Sequence, residues 1–120
     1  MVAEEKTNPH LQELIRELST AREGKKAASW TAVARRLERP RHKLRPVNVG
    51  HLDRVASKGE LIIVPTKLLG TGDLHKALTI AALGWSDEAS RKVIAAGGEL
   101  KSLREAFHAN PEGKGVHIVG

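Results

Sequence analysis

The hydrophobic pattern changes period near residue 60, and this change limits what the chain can become. Before it, apolar residues recur at helical spacing. After it, they come in short runs bounded by glycine and proline. A 120-residue chain patterned this way predicts a mixed α/β protein whose first part is helical. The expected division is a helical, basic arm over 1–59 and a compact α/β core over 60–120.

In the first part, Asn8 is placed to cap a helix and Pro9 to open it. Leu11, Leu14, Ile15 and Leu18 then form one apolar stripe, and Gly24 marks the stop or the turn after it. A second helix is expected from Ser29 as cap, with Trp30, Val33, Ala34 and Leu37 inward. Arg35 and Arg36 fall off that stripe and point to solvent or to a ligand. Pro40 stops the helix near Arg39. Residues 39–47 hold two prolines and dense positive charge, which predicts an extended connector. Asn48 is expected to cap a short helix with Val49, Leu52, Val55 and Ala56 inward, ending at Lys58–Gly59.

In the second part, Leu61–Val64 is a buried strand bounded by Pro65, and Lys67–Leu69 is a second short strand. Gly70-Thr71-Gly72-Asp73 is a turn, and Leu78–Leu83 another strand. Ser86 caps a helix with Ala89, Val93 and Ile94 inward, and Asp87 and Glu88 complement its dipole. Gly97-Gly98 ends it in a left-handed cap. Glu99–Leu100 is a short strand. Ser102 and Glu105 make a capping box for a helix over Leu103–Ala109. Asn110-Pro111-Glu112-Gly113 breaks it, and Val116–Val119 is the final strand.

Charge is concentrated in the first half. The chain carries 20 Lys and Arg against 14 Asp and Glu, a net +6, and residues 1–60 hold 13 of the bases and 8 of the acids. Between Arg35 and Arg45 stand six bases (Arg35, Arg36, Arg39, Arg41, Lys43, Arg45) and one acid, Glu38. Arginine suits bidentate phosphate contact, and a proline-bracketed cationic ribbon repels itself unless a polyanion neutralises it. A nucleic acid is the partner this implies.

Other chemistries find little footing. Without cysteine there is no disulfide, thiol nucleophile or Cys-ligated zinc. No apolar run reaches the roughly 18 residues of a membrane span. Met1–Lys6 holds two glutamates and no apolar core, so a signal peptide is not expected. Gly70-x-Gly72 lacks the rest of a dinucleotide or P-loop fingerprint, and Asp73 beside it would repel phosphate. A tight turn is the expected role. His10, His42, His51, His75, His108 and His117 show no metal-ligating spacing and are expected to be isolated surface residues, with His42 and His51 in or near the basic strip. No catalytic triad motif is present. Neither an enzyme nor a cofactor is expected, and no small-molecule substrate. Trp30 and Trp85 are expected to anchor cores, and so few aromatics do not suit base stacking.

The ordered segments resemble one family. Lys67-Leu-Leu-Gly-Thr-Gly-Asp-Leu74, then Leu78-Thr-Ile-Ala-Ala82, Trp85-Ser86-x-x-Ala89 and Ile94-x-x-Gly97-Gly98 are similar to the signature of the archaeal and eukaryotic large-subunit ribosomal protein L-eighteen-e, a relative of the bacterial and universal large-subunit protein fifteen. Upstream, Asn8-Pro9 with its leucine stripe, Trp30-x-x-Val33-Ala34-x-x-Leu37, Pro40-Arg41 and Val47-Asn48-Val49 also match, as does the Asn110-Pro111-Glu112-Gly113 ending. The likeness covers about residues 6–120. Trp85 stands where the family usually has phenylalanine. His42 stands where a second arginine often follows Pro-Arg.

The resemblance implies an irregular superhelix of β-β-α turns and an archaeal source. It also implies a structural role in the cytoplasm, within the large ribosomal subunit, bound to its RNA beside other ribosomal proteins and to no membrane. The candidate RNA-contacting residues are Arg35, Arg36, Arg39, Arg41, His42, Lys43, Arg45, Asn48, His51, Arg54 and Lys67. The alternative is a DNA-binding regulator in which helices 9–21 and 29–38 mimic a helix-turn-helix. Against it, the link from Arg22 to Ala28 is long, and the charge lies after the second helix.

Overall fold

The structure is a computed structural model that describes residues 9–20, 28–38, 45–110 and 115–119. Its elements are α1 (Pro9–Thr20), α2 (Ala28–Leu37), β1 (Val47–Asn48), α3 (Val49–Val55), β2 (Leu61–Leu69), β3 (Thr79–Trp85), α4 (Asp87–Ala95), β4 (Glu99–Ser102), α5 (Leu103–Ala109) and β5 (Val116–Ile118). The protein is therefore mixed α/β. The connector's Arg39, Arg41, His42 and Lys43, with the Asn8 cap, Gly24 and residues 111–113, lie outside the described residues.

The five strands form one sheet in the order β1-β2-β3-β4, with β5 also on β2, and every pairing is parallel. A parallel sheet needs cover on both faces, so its inner strands read as continuous apolar runs. β2 does: Ile62, Ile63, Val64, Pro65 and Thr66 are all buried. Period two divides β2 and β3 between two cores. Ile62, Val64, Ile80 and Ala82 meet Val49 and Leu52 of α3 and Ala89 and Val93 of α4. Ile63 and Ala81 meet Leu14 and Leu18 of α1, Trp30, Val33 and Leu37 of α2, and Leu103 and Ala106 of α5. α1 and α2 thus share one hydrophobic cluster with the sheet, and α3 shares the other.

β2 runs straight through the proline expected to end it. Two residues, Pro65 and Thr66, lie between the pairs Val64↔Ala82 and Lys67↔Gly84, where β3 has one, so the strand bulges there. On its other edge β2 changes partner at the same place. Leu61 N–H donates to the Gly115 carbonyl (2.8 Å) and Val119 N–H to the Ile63 carbonyl (2.9 Å). The next donor on that edge would belong to residue 65, and proline has none. Pairing with β5 stops, and β1 takes over the edge at Val47↔Leu68. The two expected strands are one, because a bulge accommodates a proline that a regular ladder would not.

Other boundaries differ for local reasons. Ser29 lies inside α2, not at its cap. α3 stops at Val55, before Lys58–Gly59, because Ala56 is already extended (φ −94°, ψ 152°). Val55 (41% exposed) and Ile94 (63%) were expected inward and are not. The buried stripe of α4 is Ala89 and Val93, four apart, and Ile94 sits about 100° further round. Leu83, on β3, is 40% exposed.

Several signals hold as expected. Ser86 Oγ accepts from Ala89 N–H at 3.1 Å, and both halves of the Ser102–Glu105 capping box form. Trp30 is fully buried, its indole N–H donates to the Asn110 carbonyl at 2.7 Å, and the Phe107 ring meets it edge-on at 5.4 Å. One tryptophan thereby ties α2 to the end of α5.

α4 ends in a Schellman motif: Gly97 (φ 86°) donates to the Ile94 carbonyl and Gly98 to the Val93 carbonyl. A Cβ on Gly97 would meet Ala77 Cβ at an ordinary 3.7 Å, whereas one on Gly98 would collide with the Leu78 carbonyl oxygen and lie 3.0 Å from the Leu78 nitrogen. Gly97→Ala should cost about 1 kcal/mol from backbone strain alone. Gly98→Ala should cost more, about 2 kcal/mol or above, because packed backbone must move. Urea denaturation of the two variants checks the order, and equal costs would contradict this geometry.

Candidate RNA interface

The parallel register decides which of the candidate cations meet. Because Val47 pairs with Leu68, the chain entering β1 from Arg45 and Pro46 comes alongside Thr66 and Lys67 of β2. Arg45 and Lys67 are both exposed there. α3 follows β1 directly and carries His51 and Arg54 outward, with Val49 and Leu52 in the core. Arg45, Asn48, His51, Arg54 and Lys67 thus gather around β1, α3 and the end of β2. Arg35 (exposed) and Arg36 (half-buried) sit in the last turn of α2, on the opposite face of the sheet, where cations complement the helix dipole.

Asn48 occupies the N-cap position of α3 with extended backbone, but its side chain accepts no cap hydrogen bond. The Gly50 N–H, one donor such a cap would serve, is taken by the Thr71 carbonyl at 3.0 Å. Asn48 Oδ1 is left buried without a partner, as is Thr66 Oγ1 at the bulge. The cap expected at Asn48 therefore exists in position only.

The segment 70–78 takes the place of a crossover helix between β2 and β3, and it is pinned along its length to α3 and α4. Gly72 (φ 90°) lies so close to the start of α3 that a Cβ on it would come within 2.7 Å of Gly50 Cα. The Lys92 ammonium, from α4, donates to the Gly70 and Gly72 carbonyls, each at 2.6 Å. His75 N–H donates to Asp53 Oδ1 at 2.8 Å, and its ring Nδ1 lies 3.1 Å from Asp53 Oδ2. Lys76 reaches the Ala56 carbonyl at the end of α3 at 2.7 Å. The turn expected at Gly70–Asp73 is thus an anchored loop.

Three histidines expected to be isolated have carboxylate partners far away in sequence. His75 pairs with Asp53, His108 with Glu17 (2.7 Å) and His117 with Glu60 (3.3 Å). Sequence reasoning also missed Lys92, which only the tertiary structure brings beneath the glycine loop. Among the described residues no cluster of three or more His, Asp or Glu could hold a metal ion. No described helix is long and apolar enough to cross a membrane.

Comparison with known proteins defines the class. A family described as "Ribosomal proteins 50S-L15, 50S-L18e, 60S-L27A" matches residues 46–101, which run from the strip entering β1 through β4. Relatives named large ribosomal subunit protein eL18 match nearly the whole chain. The one from Pyrobaculum aerophilum is 44% identical, covering 94% of this chain and 93% of its own length. Those from Haloarcula marismortui and Methanothermobacter thermautotrophicus are 42% and 40% identical, each over 95% of this chain and over 97% and 94% of their own lengths. The chain belongs to the eL18 family of large ribosomal subunit proteins.

The His75–Asp53 pair makes the loop anchor sensitive to pH. The hydrogen bond to Asp53, and then its negative charge, raise the His75 pKa above the ordinary value. Hydrogen bonds from the His75 backbone and ring hold the Asp53 carboxyl below its own. The histidine's contribution is complete below the unfolded value of roughly 6.5 and is lost as pH rises through the raised folded value. The aspartate's contribution is present above roughly 3.9 and is lost as pH falls through the lowered value. An NMR titration of the His75 ring should give a midpoint above that of an unstructured peptide. Asp53→Asn should bring it back, and an unchanged midpoint in that variant would contradict the pairing.

Proposed function

We propose that this chain is a structural constituent of the large ribosomal subunit that binds and stabilises large-subunit ribosomal RNA, in contact with neighbouring ribosomal proteins. The basic connector and the surface it leads into carry the contact. The observation that most supports this is the parallel register beside β1. It sets exposed Arg45 beside exposed Lys67, with His51 and Arg54 exposed on the next helix. Arg39, Arg41, His42 and Lys43 extend that strip upstream in sequence, and Arg35 and Arg36 close the helix before it. Cations spread along an extended segment suit the RNA backbone and its shape, not base sequence. Membership of a large-subunit family supports the same reading, and nothing in the relatives' names supports a DNA-binding regulator.

Replacing Arg39, Arg41, Lys43 and Arg45 with serine tests the proposal. The segment has one apolar residue, Leu44, so far-UV circular dichroism and melting should stay near wild type. Binding to a large-subunit RNA transcript should weaken. With four phosphate contacts removed, the slope of log affinity against log salt should flatten by about 3. A variant that binds like wild type with the same slope would show that the strip is not the contact surface.

A further inference from the structure

We propose that the outer face of α3, continued by Lys58 and carrying Val55, docks in the shallow minor groove of a double-stranded segment of the RNA. This rests on the RNA-binding reading above. It names the form of RNA and adds two residues, Val55 and Lys58, that the basic strip does not contain.

Helix geometry defines the face. At about 100° per residue, His51, Arg54 and Val55 fall within one arc of about 100°. All three are exposed, whereas Val49 and Leu52 enter the core on the other side of the helix. Past the helix end, Ser57–Glu60 form a turn in which Glu60 N–H donates to the Ser57 carbonyl at 3.4 Å and Ser57 N–H to Glu60 Oε1 at 3.1 Å. Lys58 stands exposed in that turn. α3 follows β1, which joins β2 at Leu68 and Leu69, and the turn leads into β2 at Leu61. The face therefore runs from Arg45 and Lys67, near one end of β2, to Lys58 at the other.

Charge is sorted along this face. The segment 49–60 holds two acids, and both are engaged. Asp53 accepts from the His75 N–H and pairs with its ring, and Glu60 serves Ser57 N–H and lies 3.3 Å from the His117 ring. Among the described residues none pairs with His51, Arg54 or Lys58. The Lys76 ammonium donates to the Ala56 carbonyl at the C-terminal end of α3, where the helix dipole would otherwise repel an anion. Other cations are already occupied: Lys92 with the glycine loop and Glu88, Lys101 with Glu99, Arg104 with Glu17. Free cations beside withdrawn acids suit a phosphate backbone.

Val55 selects the form of that backbone. An aliphatic side chain among the cations gains nothing from a phosphate, but it can pack on ribose. The wide, shallow minor groove of an A-form duplex displays riboses and their 2′-hydroxyls to a protein surface. His51 fits the same groove, because neutral imidazole offers a donor and an acceptor, as the 2′-hydroxyl does. A single strand would be gripped by stacking, and neither α3, the turn nor the 70–78 loop holds Trp, Tyr or Phe.

Hydroxyl-radical footprinting of a large-subunit RNA transcript on the full chain, with affinity measured against salt, tests the contact. The wild type should protect riboses that face each other across the minor groove of one helix. Val55→Glu and Lys58→Gln, both at exposed positions, should keep wild-type far-UV circular dichroism. Both should lose that protection while the connector's own footprint stays. Val55→Glu should weaken binding roughly tenfold, because it carries a carboxylate into the contact. Val55→Leu should bind like wild type. Lys58→Gln should flatten the slope of log affinity against log salt by about 1. Wild-type affinity and footprint in both Val55→Glu and Lys58→Gln would overturn this face and leave the connector reading standing. Protection confined to single-stranded nucleotides would overturn the duplex assignment. Absence of RNA binding by the wild type would overturn the broader reading and this contact with it.

Discussion

Burial of β2 on both faces is the constraint on which the rest depends. Ile62 and Val64 face one core and Ile63 the other, and all three are fully buried. Each such side chain contributes roughly 1.5–3 kcal/mol when removed from water, but only if something covers it. α3, α4 and the 70–78 loop cover one face, and α1, α2 and α5 the other. An uncovered face would leave a strand of this composition open to aggregation. Every helix in the described structure can therefore be understood as a lid on this strand or on β3 beside it.

The same strand organises the surface. Pro65 cannot donate at the point where β5 would continue, so the edge is free for β1 to join at Leu68. That handover brings the chain after the basic connector to Lys67 and launches α3 with His51 and Arg54 outward. A backbone defect in the core thereby fixes where the cationic segment meets the folded body. The buried, unpartnered oxygens of Thr66 and Asn48 lie in the same region, at the bulge and at the end of β1. Unmade hydrogen bonds of this kind cost stability, and packing elsewhere must offset them.

On the β2–β3 side, a loop does what a crossover helix usually does. Such a segment has no helical ladder to satisfy its own carbonyls. Lys92 and Gly50 satisfy three of them instead, while Asp53 and Lys76 fasten the loop's far end to α3. The glycines at 50 and 72 are explained by approach distance: two backbones touch there, so a Cβ on Gly72 would collide with Gly50 and one on Gly50 would press on Gly72 and Thr71. The Gly-x-Gly spacing alone suggests only a turn, since the groups that hold it lie about twenty residues away on each side.

Local chemistry was legible in the sequence. Helical periodicity marked α1, α2 and α4. Serine, acid and glycine signals placed the caps of α4 and α5, because a cap is settled by atoms within a few residues. The concentration of arginine after α2 pointed to a nucleic-acid partner, and the resemblance of the ordered segments pointed to a ribosomal protein family. What only the tertiary structure decided involves groups distant in the chain. The strand that continues through Pro65 depends on β3 pairing with it on both sides of the bulge. The inward fate of Val55 and Ile94 failed because neighbouring layers, not the helix pattern, decide which side of a short helix is covered. The pairing of His75, His108 and His117 with carboxylates, and the placement of Lys92 under the glycine loop, follow from a register that spacing along the chain does not encode. Short-range hydrogen bonding is written residue by residue, whereas long-range contact is set only when the whole sheet has closed over its two cores.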